Sequence, residues 1–139
     1  MRKRKMRILA VFTLSSLFFM GCRLESRDEH LKGLKSCNAD SICVSSYYFG
    51  ERRDKNVVKE LLTGINDVRI SHHIRHKGMS VYYCKAGALK KISGLNIEIE
   101  QTDSPDLEVI NKFINWALDN KLVPNSASIN IQSCREAVK

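Results

Sequence analysis

The sequence lacks the short motifs by which several classes of enzyme are recognised. It has no Gly-x-Ser-x-Gly, which marks a hydrolase nucleophile, and no glycine-rich loop that could hold the phosphates of a nucleotide. No two cysteines follow the Cys-x-x-Cys spacing of a structural zinc site. A chain of 139 residues also leaves no room for a second domain with a cofactor fold. We therefore expect a protein without catalytic residues, cofactor or metal.

The sequence also lacks an apolar stretch of the roughly 20 residues that a membrane-spanning helix needs. Its longest apolar run, from Ile8 to Met20, is shorter and is interrupted by Thr and Ser. It follows a segment of five cations without an acidic residue and ends at the small residue Gly21. This order is typical of a secretory signal peptide. We expect residues 1–21 to be removed after export.

The end of this run, Phe19-Met20-Gly21-Cys22, resembles the lipobox of bacterial lipoproteins. Phe19 and Met20 depart from the usual leucine and small residue, whereas the Gly-Cys pair matches. The resemblance implies that Cys22 carries a diacylglyceryl group and, as the new N-terminus, a further acyl chain such as palmitate. Arg23 stands where an aspartate would favour the inner membrane, which implies the periplasmic face of the outer membrane. The alternative is an ordinary signal peptide followed by an unmodified cysteine.

The net charge depends on whether the signal peptide is counted. Residues 1–21 contain five of the 23 Lys+Arg residues and none of the 15 Asp+Glu residues, so their removal lowers the net charge from +8 to +3. The remaining sequence has no basic stripe interleaved with aromatic residues. We therefore expect a membrane contact through the N-terminal lipid and a protein partner, but no nucleic acid.

Four cysteines remain when Cys22 is assigned to the lipid, and an oxidising compartment predicts two disulfides. Three pairings are possible. We favour one small ring between Cys37 and Cys43 and one long loop between Cys84 and Cys134.

Apolar periodicity predicts a mainly α fold, with three to five helices in a single domain of residues 29–139 that follows a lipidated tether of residues 22–28. Two helical pieces surround Cys37, and Gly50 is expected to end the second one. Further helices are expected from Asp54 to Gly64, from Ser80 to Gly94, and from a start at Ser104-Pro105-Asp106. Alternating apolar residues at positions 95–100 indicate a short extended segment or a loop edge that packs on the helices.

One segment, residues 54–94, resembles a HEAT-type helical repeat. Val57-Val58-Lys59-Glu60-Leu61-Leu62 is similar to the first helix, Asp67-Val68-Arg69 to the Asp and Arg between the helices, and Ala86–Gly94 to the end of the second helix. The loop of residues 69–78 is longer than the family's usual turn. The resemblance implies a small helical-hairpin domain in which the flanking helices cover the repeat.

A histidine-rich loop is the main candidate for partner binding. It contains His72, His73, Arg75, His76 and Lys77. Loops held by rigid helices often carry recognition, although a solvated basic loop and a metal pair of His72 and His76 are alternatives.

Tyrosines come in two adjacent pairs, and neighbouring residues on a helix point in different directions. We expect one tyrosine of each pair in the core and the other at the surface, where tyrosine is a frequent interface anchor. Tyr82 and Tyr83, which follow the histidine-rich loop, are included among the expected contacts.

The predicted export signal and lipidation, the small size and the lack of catalytic motifs together favour a membrane-anchored periplasmic module that binds a protein. Small lipidated helical proteins of this type resemble the immunity proteins of interbacterial toxin systems. That resemblance implies a partner such as a type VI secretion phospholipase, which the protein would bind and neutralise. One alternative is a structural or assembly accessory lipoprotein of the envelope. Another is a small hydrolase that uses the histidine-rich loop or the acidic residues Glu98, Glu100 and Asp103.

Overall fold

A computed structural model describes residues 26–101, 104–126 and 129–131. The proposed signal peptide, Cys22, Asp103 and Cys134 lie outside these ranges. The five α-helices of the described residues are α1 (Arg27–Lys35), α2 (Ala39–Arg52), α3 (Val58–Leu62), α4 (Val81–Ser93) and α5 (Leu107–Asp119). A short 3-10 helix, Lys55–Val57, leads into α3. The prediction of a mainly helical fold is confirmed, since these residues form only an isolated bridge and no β-strand.

Several helix ends lie where the sequence predicts them. Ser80 caps α4 by accepting a hydrogen bond from the Tyr83 amide, and Gly94 ends this helix with a φ of 72°. At the start of the described residues, Ser26 and Glu29 form a reciprocal capping box for α1. Helix α1 begins at Arg27, so its first two residues lie within the segment that the sequence assigns to the tether.

Two of the predicted helix ends are wrong. Helix α5 begins at Leu107, and its cap is Asp106 rather than Ser104, because the Asp106 carboxylate accepts hydrogen bonds from the amides of residues 108 and 109. Gly50 does not end α2, which continues to Arg52 and is closed by Arg53 in the left-handed conformation. Gly50 instead lies where α2 crosses α4. A Cβ atom at this position would lie 2.9 Å from the Cα atom of Ala88.

The central unit of the domain is the pair of helices α2 and α4, which lie side by side and run in the same direction. Near their beginnings Cys43 is bonded to Cys84, with their Cα atoms 5.2 Å apart. Further along, Gly50 faces Ala88, and Glu51 forms an ion pair with Lys91. Helix α1 packs on α2, while α3 and α5 pack on each other and on α4.

The disulfide pairing corrects the sequence prediction. Because Cys43 is bonded to Cys84, the predicted pairs Cys37–Cys43 and Cys84–Cys134 are both wrong. Cys37 lies in the turn before α2, whereas the side chain of Cys43 is fully buried against α4. The shorter sequence separation was therefore misleading, because the helix directs Cys43 away from the turn. Cys37 is disulfide-bonded as well.

The core lies between the helices and reaches the extended segment that follows α4. Ile97 is buried, and Leu95 and Ile99 are partly buried against the core, so the alternating residues form a packed loop edge rather than a strand. The largest fully buried side chains include those of Phe49, Leu61, Tyr82, Leu89 and Phe113. Among the described helices, none combines the length and the apolar character that crossing a bilayer would require.

Candidate functional site

The histidine-rich loop has a defined conformation because Asp40, in the first turn of α2, binds its first residues. One carboxylate oxygen of Asp40 accepts hydrogen bonds from the Ser71 hydroxyl at 2.8 Å, the His72 amide at 2.6 Å and the His73 amide at 3.0 Å. The hydrogen bond from Ser71, followed by that from the His72 amide, lowers the pKa of Asp40. Asp40 is therefore ionised at neutral pH and holds the loop.

The two ends of the loop are joined to each other. Ile70 and Ser80 form an antiparallel bridge, and the Ser71 amide donates to the carbonyl of Met79 at 2.8 Å. Gly78 has a φ of 83° and donates its amide to the Ser71 carbonyl, a turn that suits glycine. The loop therefore leaves the domain and returns to it at neighbouring positions, as the turn of a hairpin does.

The base of the loop contains the two residues that resemble the HEAT pair. Arg69 forms an ion pair with Asp67, with Nη2 and Oδ2 2.6 Å apart, and Asp67 is only 3% exposed. Arg69 also donates to the carbonyl of Cys37 at 2.6 Å. The backbone carbonyls of Asp67 and Arg69 accept the first two amides of α4, those of Tyr82 and Val81. This short segment joins the α1–α2 turn to the start of α4.

The three histidines of the loop have different environments. His76 is 8% exposed and its ring packs 5.6 Å from that of Tyr47 and 5.7 Å from that of His73. Burial lowers the pKa of His76, and the nearby His73 and Arg75 add to this effect, so His76 is neutral at pH 7. Residues 74–78 form turns instead of the helix on which His72 and His76 would share a face. In the described part of the chain, no three His, Cys, Asp or Glu side chains come together as a metal site.

A groove of about 690 Å³ lies between α2 and α4, and Arg75 and His76 of the loop contribute to its lining. The disulfide forms part of its wall. The apolar side chains of Met79, Leu95 and Ile99 also line it. Its aromatic and cationic residues come from α2, its C-cap, the loop and α4: Tyr47, Arg53, Arg75, His76, Tyr83, Lys90 and Lys91. We call this surface the cationic groove.

The charges of the cationic groove mostly lack partners among the described residues. Lys91 pairs with Glu51 and lies 4.9 Å from the centre of the Tyr47 ring. By contrast, none of the ion pairs between described residues involves Arg53, Arg75 or Lys90. Three cations that no described carboxylate pairs with therefore surround an aromatic surface. This arrangement can bind an anionic group, and its lining residues include no nucleophile paired with a base.

The structure brings only some of the predicted contact residues into the cationic groove. Arg75, His76 and Tyr83 line it, while His72 and Lys77 are exposed on the loop and His73 packs on His76. Tyr82 is 1% exposed and faces the core, so its prediction as a contact residue is wrong.

Tyr47 and Arg53 line the groove but were not predicted as contact residues. They lie in α2 and at its C-cap, which are distant in sequence from the histidine-rich loop. The only available signal was the expectation that one tyrosine of each pair is exposed. In the first pair Tyr47 is 52% exposed and Tyr48 is partly buried against the core. In the second pair Tyr82 is buried and Tyr83 is half-buried, so one tyrosine of each pair is the more exposed, but only Tyr82 is a fully buried core residue.

Comparisons of the chain with protein-family models, with curated proteins and with solved structures return no match. The resemblances to lipoproteins, to HEAT repeats and to immunity proteins therefore stay predictions.

Proposed function

We propose that this chain is a lipid-anchored protein of the bacterial cell envelope that binds a protein partner and catalyses no reaction. The observation that carries the proposal is the cationic groove, in which Arg53, Arg75 and Lys90 lie near the exposed Tyr47 and pair with no carboxylate of the described residues. Tyrosine and arginine are the residues most often found as anchors of protein interfaces. Cations of this kind select a partner with carboxylates on its surface and accelerate its association.

The proposed lipid anchor would fix where in the envelope this binding takes place. Lipidation of Cys22 would keep the domain on the periplasmic face of the outer membrane, within reach of proteins that enter or act on the envelope. Several acyl chains on one residue make such an anchor stable, whereas a single chain would not. We propose that the partner is a toxic effector, such as a phospholipase delivered by a type VI secretion system, and that the chain is the immunity protein that neutralises it.

The experiment that tests this function is competition between cells. A strain from which the gene is deleted is mixed with parental cells that deploy the toxin, and its survival is measured with and without a plasmid that encodes the full chain. We expect deletion to make the strain sensitive and the plasmid to restore survival. Survival of the deletion strain without the plasmid would contradict the immunity function.

A charge reversal tests whether the cationic groove is the binding site. The double variant Arg75→Glu, Lys90→Glu places carboxylates in the groove, so we expect it to lose protection at least tenfold because of repulsion of an acidic partner. The matched control is Lys55→Glu, Lys59→Glu, which changes the net charge equally at exposed residues that do not line the groove. If both double variants protect equally well, the groove is not the site.

Lipidation at Cys22 is tested separately. We expect Cys22→Ser to abolish the incorporation of labelled palmitate. Labelling that survives the substitution would contradict lipidation at this residue.

A further inference from the structure

The tip of the histidine-rich loop carries an isoleucine that is almost completely exposed. Ile74 is 88% exposed, whereas the other exposed large apolar side chains of the described residues range from 42% to 63%. Burial of an isoleucine side chain contributes about 1.5–3 kcal/mol, and the folded domain leaves this contribution unused. The exposed cation Arg75 follows it directly in the chain, and the exposed Lys77 lies three residues after Ile74. The loop therefore presents an exposed apolar side chain beside cations.

The base of the loop is rigid even though its tip projects into solvent. Ser71 is fully buried, and Asp40 binds its hydroxyl together with the amides of His72 and His73. On the other side of the tip, His76 is buried against Tyr47. The conformation that presents Ile74 thus exists before any partner is bound. Such preorganisation lowers the entropic cost of association.

The position of the loop relative to the proposed anchor indicates what it contacts. Asp40 holds the loop at the start of α2, while the ion pair between Arg27 and Asp54, 2.9 Å long, joins the start of α1 to the far end of α2. A helix of 14 residues is about 21 Å long. Three residues separate Cys22 from Ser26, so the chain between them reaches at most about 14 Å. The loop therefore lies at the end of α2 that is remote from the lipid, which favours a protein over the bilayer as its contact.

We infer that residues 71–78 form a preorganised insertion loop, and that Ile74 enters an apolar pocket bordered by carboxylates on the partner protein. Arg75 and Lys77 face the rim of that pocket, and the cationic groove continues the same charge preference across the interface. This inference rests on the proposed function, because it names the chemistry of the partner that the immunity protein would recognise.

The test uses the full, lipidated chain in the competition experiment described above. The deletion strain receives wild type, Ile74→Ala, Ile74→Asp or the control Leu107→Asp, which alters another exposed apolar residue, 63% exposed, at the start of α5. We expect wild type and Leu107→Asp to protect equally, Ile74→Ala to reduce survival about tenfold and Ile74→Asp to abolish protection. Circular dichroism melting of each purified domain verifies that the variants are folded.

The possible failures are distinguishable. If Ile74→Asp protects as well as wild type, the insertion loop is wrong and the proposed function stands. If wild type itself gives no protection, the proposed function fails, and the inference fails with it. Binding of the purified domain to vesicles of phosphatidylethanolamine and phosphatidylglycerol is measured in parallel. Binding that is lost in Ile74→Asp but kept in Leu107→Asp would assign the tip to the membrane and overturn the inference.

Discussion

Two clefts border α4, and their charged side chains differ in whether they have partners within the chain. In the cationic groove, Arg53, Arg75 and Lys90 have no carboxylate partner among the described residues. The second cleft, of about 350 Å³, contains the ion pairs Arg69–Asp67 and Lys35–Glu60, and of its charged residues only Lys59 and Lys85 form no ion pair with a described residue. We call this the paired cleft.

The paired cleft also contains Lys85, which is 3% exposed and donates to the carbonyl of Thr63 near the end of α3. Burial lowers the pKa of Lys85 to about 8, although the nearby Asp67 opposes this shift. Buried lysines with low pKa values are found at many active sites, but the partner of this one is a carbonyl of its own chain. The comparison indicates that the two ion pairs of the paired cleft stabilise the fold, whereas the buried charge of Lys85 opposes folding at neutral pH. The unpaired cations of the cationic groove are available to a ligand.

The largest expected effect concerns the buried carboxylate of the paired cleft. Asp67→Ala removes one ion-pair partner of Arg69 and should lower the free energy of unfolding by about 3 kcal/mol, measured by urea denaturation. The control is Glu108→Ala, which breaks an exposed ion pair with Lys112 and should cost at most about 0.5 kcal/mol. Equal effects of the two substitutions would remove the distinction between buried and exposed pairs.

Lys85 gives the paired cleft a characteristic pH dependence. Its pKa in the folded state, about 8, lies below the ordinary value of 10.5, so the folded state disfavours the charged form. Stability linked to this residue is therefore lowest below pH 8 and rises as the pH increases towards 10.5. Relative to Lys85→Met, wild type should gain about 2.5 kcal/mol between pH 7 and pH 10. Parallel pH profiles of the two proteins in urea denaturation would show that Lys85 is not perturbed.

Substitutions of two glycines test how closely α2 and α4, the helices between the two clefts, approach each other. Gly50→Ala would place a Cβ atom 2.9 Å from the backbone of Ala88 and should destabilise the domain by about 2 kcal/mol in thermal or urea denaturation. Gly87 lies within α4 at the cationic groove, where an added Cβ atom would point into open space. Gly87→Ala should therefore stabilise the helix by about 0.5–1 kcal/mol. A neutral Gly50→Ala would contradict the close approach of α2 and α4.

The smallest effect on stability is expected in the cationic groove itself. The double variant Arg75→Ala, Lys90→Ala should change the free energy of unfolding by no more than about 0.5 kcal/mol, because neither cation forms an ion pair with another described residue. The same variant should weaken binding of the partner. A large loss of stability in urea would mean that these cations support the fold, as Arg69 does in the paired cleft.

Local signals in the sequence predicted a large part of the fold. Ser80 and Gly94 bound α4 as expected, and Asp54 caps the 3-10 turn before α3 by binding the Asn56 amide. These features depend on the hydrogen-bonding needs of a helix end, which a few neighbouring residues meet. The start of α5 differs from the prediction. Asp106, not Ser104, caps this helix, because the Asp106 carboxylate accepts hydrogen bonds from two amides.

Contacts between distant residues could not be predicted in the same way. The pairing of Cys43 with Cys84 requires α2 and α4 to lie side by side, and their sequence separation is 41. Gly50 has the local sequence pattern of a helix end, yet it lies within α2, where the absence of a side chain lets Ala88 of α4 approach closely. Tyr82 and Tyr83 are equivalent by pattern, and only the rotation of α4 against the core buries the first of them.

The sequence by itself determined the helical character of this protein and most of its helix ends, because caps, glycines and apolar periodicity act over a few residues. It also placed the basic and aromatic residues of the histidine-rich loop in one segment. The tertiary structure alone decided the disulfide, the rigid base of the loop and the cationic groove. Each of these depends on side chains that are remote in sequence and meet only when α2 and α4 pack in parallel. The same packing determined which cations the described carboxylates leave available, and the binding proposal rests on those cations.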